Sequence, residues 1–168
     1  MSYQNPENVK NTPAVNEPLS VFYPNIAPLD FWNSFVAGLK TPLFKMTSFE
    51  KMELLERGIK KEDLEQFKMK ANLDYDKLAS ALAVTRATLI NKKKGEVFSE
   101  NISEKIVALS DLYSFGYEVF DNQNQFNEWM FTPNHALGNK TPFDIVDNQF
   151  GRDEIKNVLG RIEYGIYS

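Results

Sequence analysis

The side chains able to do covalent chemistry are few. His135 is the only histidine, cysteine is absent, and no glycine-rich loop suited to cradling phosphate occurs. Serines and aspartates are plentiful, so a Ser-His-Asp triad can be drawn on paper around His135. Yet His135 follows Pro133 and Asn134 in a stretch that reads as a turn, where a side chain bonded to backbone is the expected use. Without cysteine, thiolate zinc sites are excluded, and with a single imidazole a metal site is not expected. The sequence therefore offers no catalytic residue, no metal site and no bound cofactor. Asp144, Asp147, Asp153 and Glu154 read as caps and first-turn charges at helix N-termini rather than as paired catalytic carboxylates.

Two stretches carry the chemistry of recognition instead. The segment "RATLINKKK" places Arg86, Lys92, Lys93 and Lys94 together with no acid, on a chain whose net charge is −4. Neutralising phosphate takes Lys and Arg, so this is a small electrostatic footprint on an acidic background, or else a solvated helix end. In the DNA reading Thr85, Arg86, Thr88, Asn91, Lys92, Lys93 and Lys94 form the contact set. The second stretch is "GRIEYGIYS". Gly165 reads as the left-handed stop of a last helix with Ile166 folded back onto it. That leaves Tyr167 and the carboxylate of Ser168 without a role in the fold. A tail held by a rigid helix and ending in an aromatic is suited to a partner's pocket, because little entropy remains to be lost on binding. Arg161, Tyr164, Gly165, Ile166, Tyr167 and Ser168 are the candidate contacts.

The elements that must position these residues are helices. Residues 1 to 29 hold Pro6, Pro13, Pro18, Pro24 and Pro28 and read as a mobile arm. Asp30 opens a short helix carrying Trp32, Phe35, Val36 and Leu39, ended by Pro42. "TSFE" has the capping-box form, with Thr47 and Glu50 satisfying each other's amides, and Gly58 closes that helix. A helix over roughly 60 to 71 turns Leu64, Phe67 and Ala71 inward. Asp74 caps the next, with Leu78, Ala81 and Leu82 on one face. After a tight link, Thr85 caps a helix of about ten residues that runs through the lysines to Gly95, setting cations at the negative end of its dipole. Two short helices, a brief turn and a basic outward face make a helix-turn-helix.

Ser99 starts a long helix to about Phe120, with Ile102, Ile106, Leu109, Tyr113 and Phe120 on one stripe. Shorter helices follow: one ending before Pro133, one with Pro142 near its first position, and a last one carrying Ile155, Val158, Leu159 and Ile162. Trp129, Met130 and Phe131 read as core. No strand alternation of useful length occurs, so the fold class is all-α. With 168 residues, 42% hydrophobic and 25% charged, the chain has the balance of a globular protein of one ordinary or two small domains. The N-terminus lacks a basic start and an apolar run, and no 18 consecutive apolar residues occur, so a cytoplasmic protein without membrane contact is expected.

From Trp129 onward, "WMFTPNHALG", "TPFDIV" and "GRDEIKNVLGRIEYG" resemble the toxin-binding domain of Xre/MbcA/ParS-type antitoxins. Trp129, Pro133, Asn134, Ala136, Leu137, Pro142, Gly151 and the closing Leu159, Gly160, Arg161, Ile162, Glu163, Tyr164 and Gly165 carry that likeness. The helix-turn-helix upstream resembles the Xre half of the same proteins, so the likeness covers roughly residues 55 to 168, with "NKKK" where an Arg-rich run is more usual. The resemblance implies an antitoxin paired with a RES-domain toxin, which consumes NAD or transfers ADP-ribose. It implies occlusion of the toxin's cofactor site by the C-terminal half, and autorepression through operator DNA bound by a homodimer. The domain division expected from it is a mobile arm at 1–29, leading helices at 30–58, an Xre-like DNA-binding domain at 59–120 and a toxin-binding domain at 121–168. A free-standing helix-turn-helix regulator without a toxin is the alternative.

Overall fold

Side-chain caps fix where most of the helices begin. In the computed structural model, which describes residues 41–165, Thr47 and Glu50 form the expected capping box. The Thr47 hydroxyl accepts from the Glu50 amide, and the Glu50 carboxylate accepts from the Thr47 amide. They start α1 (Ser48–Arg57), which stops at Gly58 with φ +76°. α2 (Lys61–Lys70) follows, then α3 (Tyr75–Ala81), whose Asp74 cap accepts from the Lys77 amide at 2.7 Å. Thr85 caps α4 (Arg86–Ile90). The long α5 (Glu100–Phe120) leads to α6 (Gln123–Trp129), capped by Asn122, and to α7 (Gln149–Glu163), capped by Asn148. Short 3-10 turns occupy Leu43–Lys45, His135–Leu137 and Pro142–Ile145. Among the described residues there is no strand, and the fold is all-α. The expected arm at 1–29 and the helix opening at Asp30 lie outside the described residues, as do Ile166, Tyr167 and Ser168.

α5 is the axis on which the rest packs. It touches α1, α6, α7 and the Leu43–Lys45 turn, and its Ile106, Leu109, Leu112 and Tyr113 are fully buried. The expected stripe is therefore correct at its centre, while Ile102 and Phe120 lie at the core's margin. A set of edge-to-face rings joins α2, α5 and α6: Tyr113 meets Phe67 at 5.1 Å and Phe126 at 5.2 Å. One buried cluster runs from Leu43 to Leu159. Asp111 of α5, itself buried, takes Lys51 of α1 at 2.7 Å and Lys156 of α7 at 2.5 Å, tying three helices with one carboxylate.

Two expectations need correction. Of Trp129, Met130 and Phe131, only Met130 is fully buried. Trp129 is half-buried beside Phe126, and Phe131 is exposed against Phe143, ring centres 4.6 Å apart. Phe126, one turn earlier, occupies the central place. The second correction concerns α4, which ends at Ile90 and does not run through the lysines. The chain beyond it is drawn across to α2. Lys61 Nζ donates to the Leu89 carbonyl at 2.7 Å, the Gly95 amide donates to the Glu62 carboxylate at 2.8 Å, and the Lys61 amide donates to the Glu96 carbonyl at 3.1 Å. These bonds outcompete continued helix, and Gly95, at φ +81°, makes the turn they require.

Candidate functional site

The α3–α4 unit is held from inside by Leu78, Leu82 and Leu89, all fully buried. Between the helices Ala83 adopts φ +49°, and the Val84 amide donates to the Ala79 carbonyl at 3.0 Å, which closes the link tightly. The outward surface carries Thr85, Arg86, Thr88 and Asn91, all exposed. The Thr85 and Thr88 hydroxyls bond each other at 2.7 Å, so part of their capacity is used in capping. Arg86 pairs through Nε with Asp76 of α3 at 3.4 Å.

The lysines sit differently from one another. Lys92 is half-buried with Nζ 5.5 Å from the centre of the Phe98 ring, whereas Lys93 and Lys94 are exposed in the turn after α4. Acids stand beside them: the Lys93 amide donates to Glu96 at 3.0 Å, and Glu62 lies close to Lys94. The Gly95 amide holds the Glu62 carboxyl below its usual range, keeping that charge in place. Three contributors were not visible in the pattern. Asp76 partners Arg86; Lys105 of α5 donates to the Ala83 carbonyl at 3.3 Å, adding a cation beside the link. Lys61 anchors the end of α4. Burial alone would lower the Lys61 pKa, but its bonds to the Tyr75 hydroxyl and to Glu65 outweigh this and raise it.

The second region is the exposed side of α7. Its inner face buries Ile155, Val158 and Leu159, with Ile162 at the edge, as the spacing predicts. On the outer side Phe150 is 87% and Tyr164 79% exposed, with Asn157 between them at intervals of seven residues. That spacing puts the three on one side, with the backbone positions of Phe150 and Tyr164 roughly 21 Å apart along the axis at 1.5 Å rise per residue. Arg161 approaches Glu154 only at 3.9 Å. Gly165 has φ +68° and its amide donates to the Ile162 carbonyl at 3.0 Å, so it does stop the helix. Phe150 was not anticipated. No pattern in the sequence singles it out.

The loops before α7 explain much of the sequence likeness. The Asn134 side-chain carbonyl accepts from the Ala136 amide at 2.9 Å, Leu137 is buried beneath that turn, and Pro142 opens the 3-10 turn whose Thr141 and Asp144 cap each other. His135 is exposed, and its backbone rather than its imidazole makes the turn's bonds. Gly151 lies so close to that turn that a Cβ on it would stand 1.6 Å from the Ile145 carbonyl oxygen. Residues 116–165 match the family described as the Antitoxin Xre/MbcA/ParS C-terminal toxin-binding domain. These residues are similar to the toxin-binding domain of Xre/MbcA/ParS antitoxins. Two curated proteins named Antitoxin Xre are similar to the chain. One, from Photorhabdus laumondii subsp. laumondii, is 29% identical over 72 residues, 42% of this chain and 49% of that protein. The other, from Yersinia enterocolitica serotype O:8, is 19% identical over 119 residues, 70% and 80% of the two chains. The chain thus spans about half the length of the Photorhabdus relative. Within residues 116–165, packing accounts for Leu137, Gly151 and Leu159 but not for Gly160, around which a Cβ would meet nothing within 4 Å. No helix among the described residues is long and apolar enough to cross a membrane.

Proposed function

We propose that this chain is the antitoxin of a type II toxin–antitoxin pair. It neutralises a RES-domain toxin that consumes NAD or transfers ADP-ribose, and it represses its own operon as a DNA-bound homodimer in the cytoplasm. The observation that carries the reading is the match of residues 116–165 to a toxin-binding domain. The exposed side of α7 supports it: Phe150, Asn157 and Tyr164 face solvent, large aromatics are favoured anchors in interfaces, and Gly160 leaves room for a partner's backbone beside the helix. Arg161, Tyr164 and Gly165 lead the chain toward Ile166, Tyr167 and Ser168. In this reading the tail enters the toxin's cofactor cleft, with Tyr167 as its aromatic anchor. Inhibition is by occlusion, and the chain itself catalyses nothing.

DNA contact comes from the α3–α4 helix-turn-helix, with Thr85, Arg86, Thr88 and Asn91 toward the groove and Lys92, Lys93 and Lys94 toward phosphate. Arg86→Ala should cost about 1–3 kcal/mol and relax specificity, whereas Lys93→Ala should weaken all sequences alike and reduce the salt slope by about one. The test of the toxin reading compares the full chain with a chain ending at Gly165, each mixed with the toxin encoded beside it. The full chain is expected to stop NAD loss and the shortened one to fail while still folding. Full protection by the shortened chain would refute the tail's role.

A further inference from the structure

The exposed face of α7 is complementary to itself. Phe150, Asn157 and Tyr164 recur at intervals of seven residues, and Asn157 stands midway between the two rings. A second α7 laid antiparallel, with a two-fold axis at Asn157, sets each Phe150 level with Tyr164 of the second copy and brings the two Asn157 side chains together. The charges fit the same register. Glu154 lies three residues before the axis and Arg161 four after it, so each Glu154 comes level with Arg161 of the second copy to within one residue's rise of about 1.5 Å. The two-fold keeps both on one flank of the seam, where they already approach to 3.9 Å within a single copy. On the other flank Gly160, where a Cβ would meet nothing within 4 Å, leaves room for Asp153 of the second copy. Asn157 gives one amide hydrogen to Glu154 at 3.2 Å, and its second hydrogen and its carbonyl can bond the other Asn157.

We propose that two copies of this chain meet through this face, α7 against α7 in antiparallel register about Asn157. The pairing rests on the homodimer proposed for operator binding and gives that homodimer a surface. The four rings, 87% and 79% exposed in each copy, would remove on the order of 500–800 Å² from water, a third to a half of a standard interface of roughly 1,600 Å². The charged pairs and the Asn157 amides lie between and beside them. A single polar residue in such a seam fixes register at a cost in stability, which is the part Asn157 takes. The exposed Phe49 and Met52 of α1 are less suited to a second copy, because Glu50, Glu53 and Glu56 beside them would face their own kind. A copy laid on α7 covers the rings that a toxin would also use, so pairing and toxin capture through this face exclude one another.

The experiment uses the full chain, which contains no cysteine. Asn157→Cys sets two thiols across the axis, where helices packed about 8–10 Å apart bring their facing Cα atoms within disulfide reach. Mild oxidation should link this variant into a covalent dimer. Phe150→Cys, whose two thiols would lie roughly 21 Å apart along the axis, should stay unlinked. Sedimentation equilibrium reads the same register through charge. Glu154→Arg alone, or Arg161→Glu alone, turns both attractive pairs repulsive and should weaken the dimer about 5- to 50-fold. The two variants mixed in equal amounts should regain wild-type association, since each then faces the opposite charge. Should a charge variant lose its helical signal in circular dichroism, the two cysteine variants decide the matter. A wild-type dimer indifferent to both charge reversals would overturn the α7 pairing while leaving the homodimer, as would Phe150→Cys linking as readily as Asn157→Cys. A wild-type chain that sediments as a monomer at its highest soluble concentration would overturn both.

Discussion

Replacing Gly151 by alanine adds one methyl group where α7 begins, directly against the Pro142–Ile145 turn. The new Cβ would lie 1.6 Å from the Ile145 carbonyl oxygen and 2.7 Å from its carbon, where ordinary contact begins at 3.4 Å. Both atoms are backbone, so no side-chain rotation relieves the clash and the first turn of the helix must move. Overpacking of this kind costs about 1–3 kcal/mol, and the lack of a flexible neighbour places it at the upper end. Alanine in a helix interior recovers about 0.8–1.0 kcal/mol relative to glycine. The net is a loss of about 2 kcal/mol. Gly160 is the matched control nine residues on in the same helix: its Cβ would meet nothing within 4 Å, so the propensity gain of about 1 kcal/mol stands alone. Urea unfolding of the two full-length variants, at unchanged slope, should therefore shift in opposite directions. Gly151→Ala at or above wild-type stability would refute the close approach, and destabilisation by Gly160→Ala would refute the open surface.

Other perturbations have equally definite outcomes. The Tyr113 hydroxyl is buried without a hydrogen-bond partner among the described residues, and burial pushes its pKa far up. Tyr113→Phe should therefore hold or raise stability by about 1 kcal/mol in denaturant unfolding, and a clear loss would mean that the hydroxyl is bonded. Asp111→Asn leaves Lys51 and Lys156 facing a neutral amide across three helices and should cost about 2–3 kcal/mol, most of it removed when both lysines are also replaced by methionine. Trp129→Ala should cost less than the roughly 3–5 kcal/mol of a fully buried aromatic, because the ring is only half-buried. Lys61→Met frees the Leu89 carbonyl at the end of α4 and should speed amide exchange across Arg86–Ile90 more than across α5; uniform exchange would show that the lysine does not anchor it.

Features governed by neighbours in the chain were legible in the sequence. Thr47 and Glu50, Asp74 and Thr85 announce helix starts because a cap needs only a side chain and an amide two or three residues away, and Gly58 and Gly165 announce stops because both need positive φ. What could not be read depends on residues far apart in the chain. The early end of α4 is decided by Lys61 and Glu62, which compete from α2 for the chain around Leu89 and Gly95. Phe126 rather than Trp129 fills the centre because Gly116 admits its ring where a Cβ would stand 2.1 Å away, a fit no local pattern encodes. The candidate sites divide in the same way. The basic residues and the terminal stretch stand out in the sequence, whereas Asp76 beside Arg86, Lys105 beside the Ala83 carbonyl and Phe150 in line with Tyr164 emerge only once the helices are packed.

The central claim, that this chain silences a toxin by binding it, is tested most directly by titrating the full chain into the toxin encoded beside it and following NAD loss at concentrations above the dissociation constant of the complex. The account predicts that NAD consumption falls linearly to zero at a fixed molar ratio of the two proteins. NAD consumption that continues unchanged at saturating chain would contradict it.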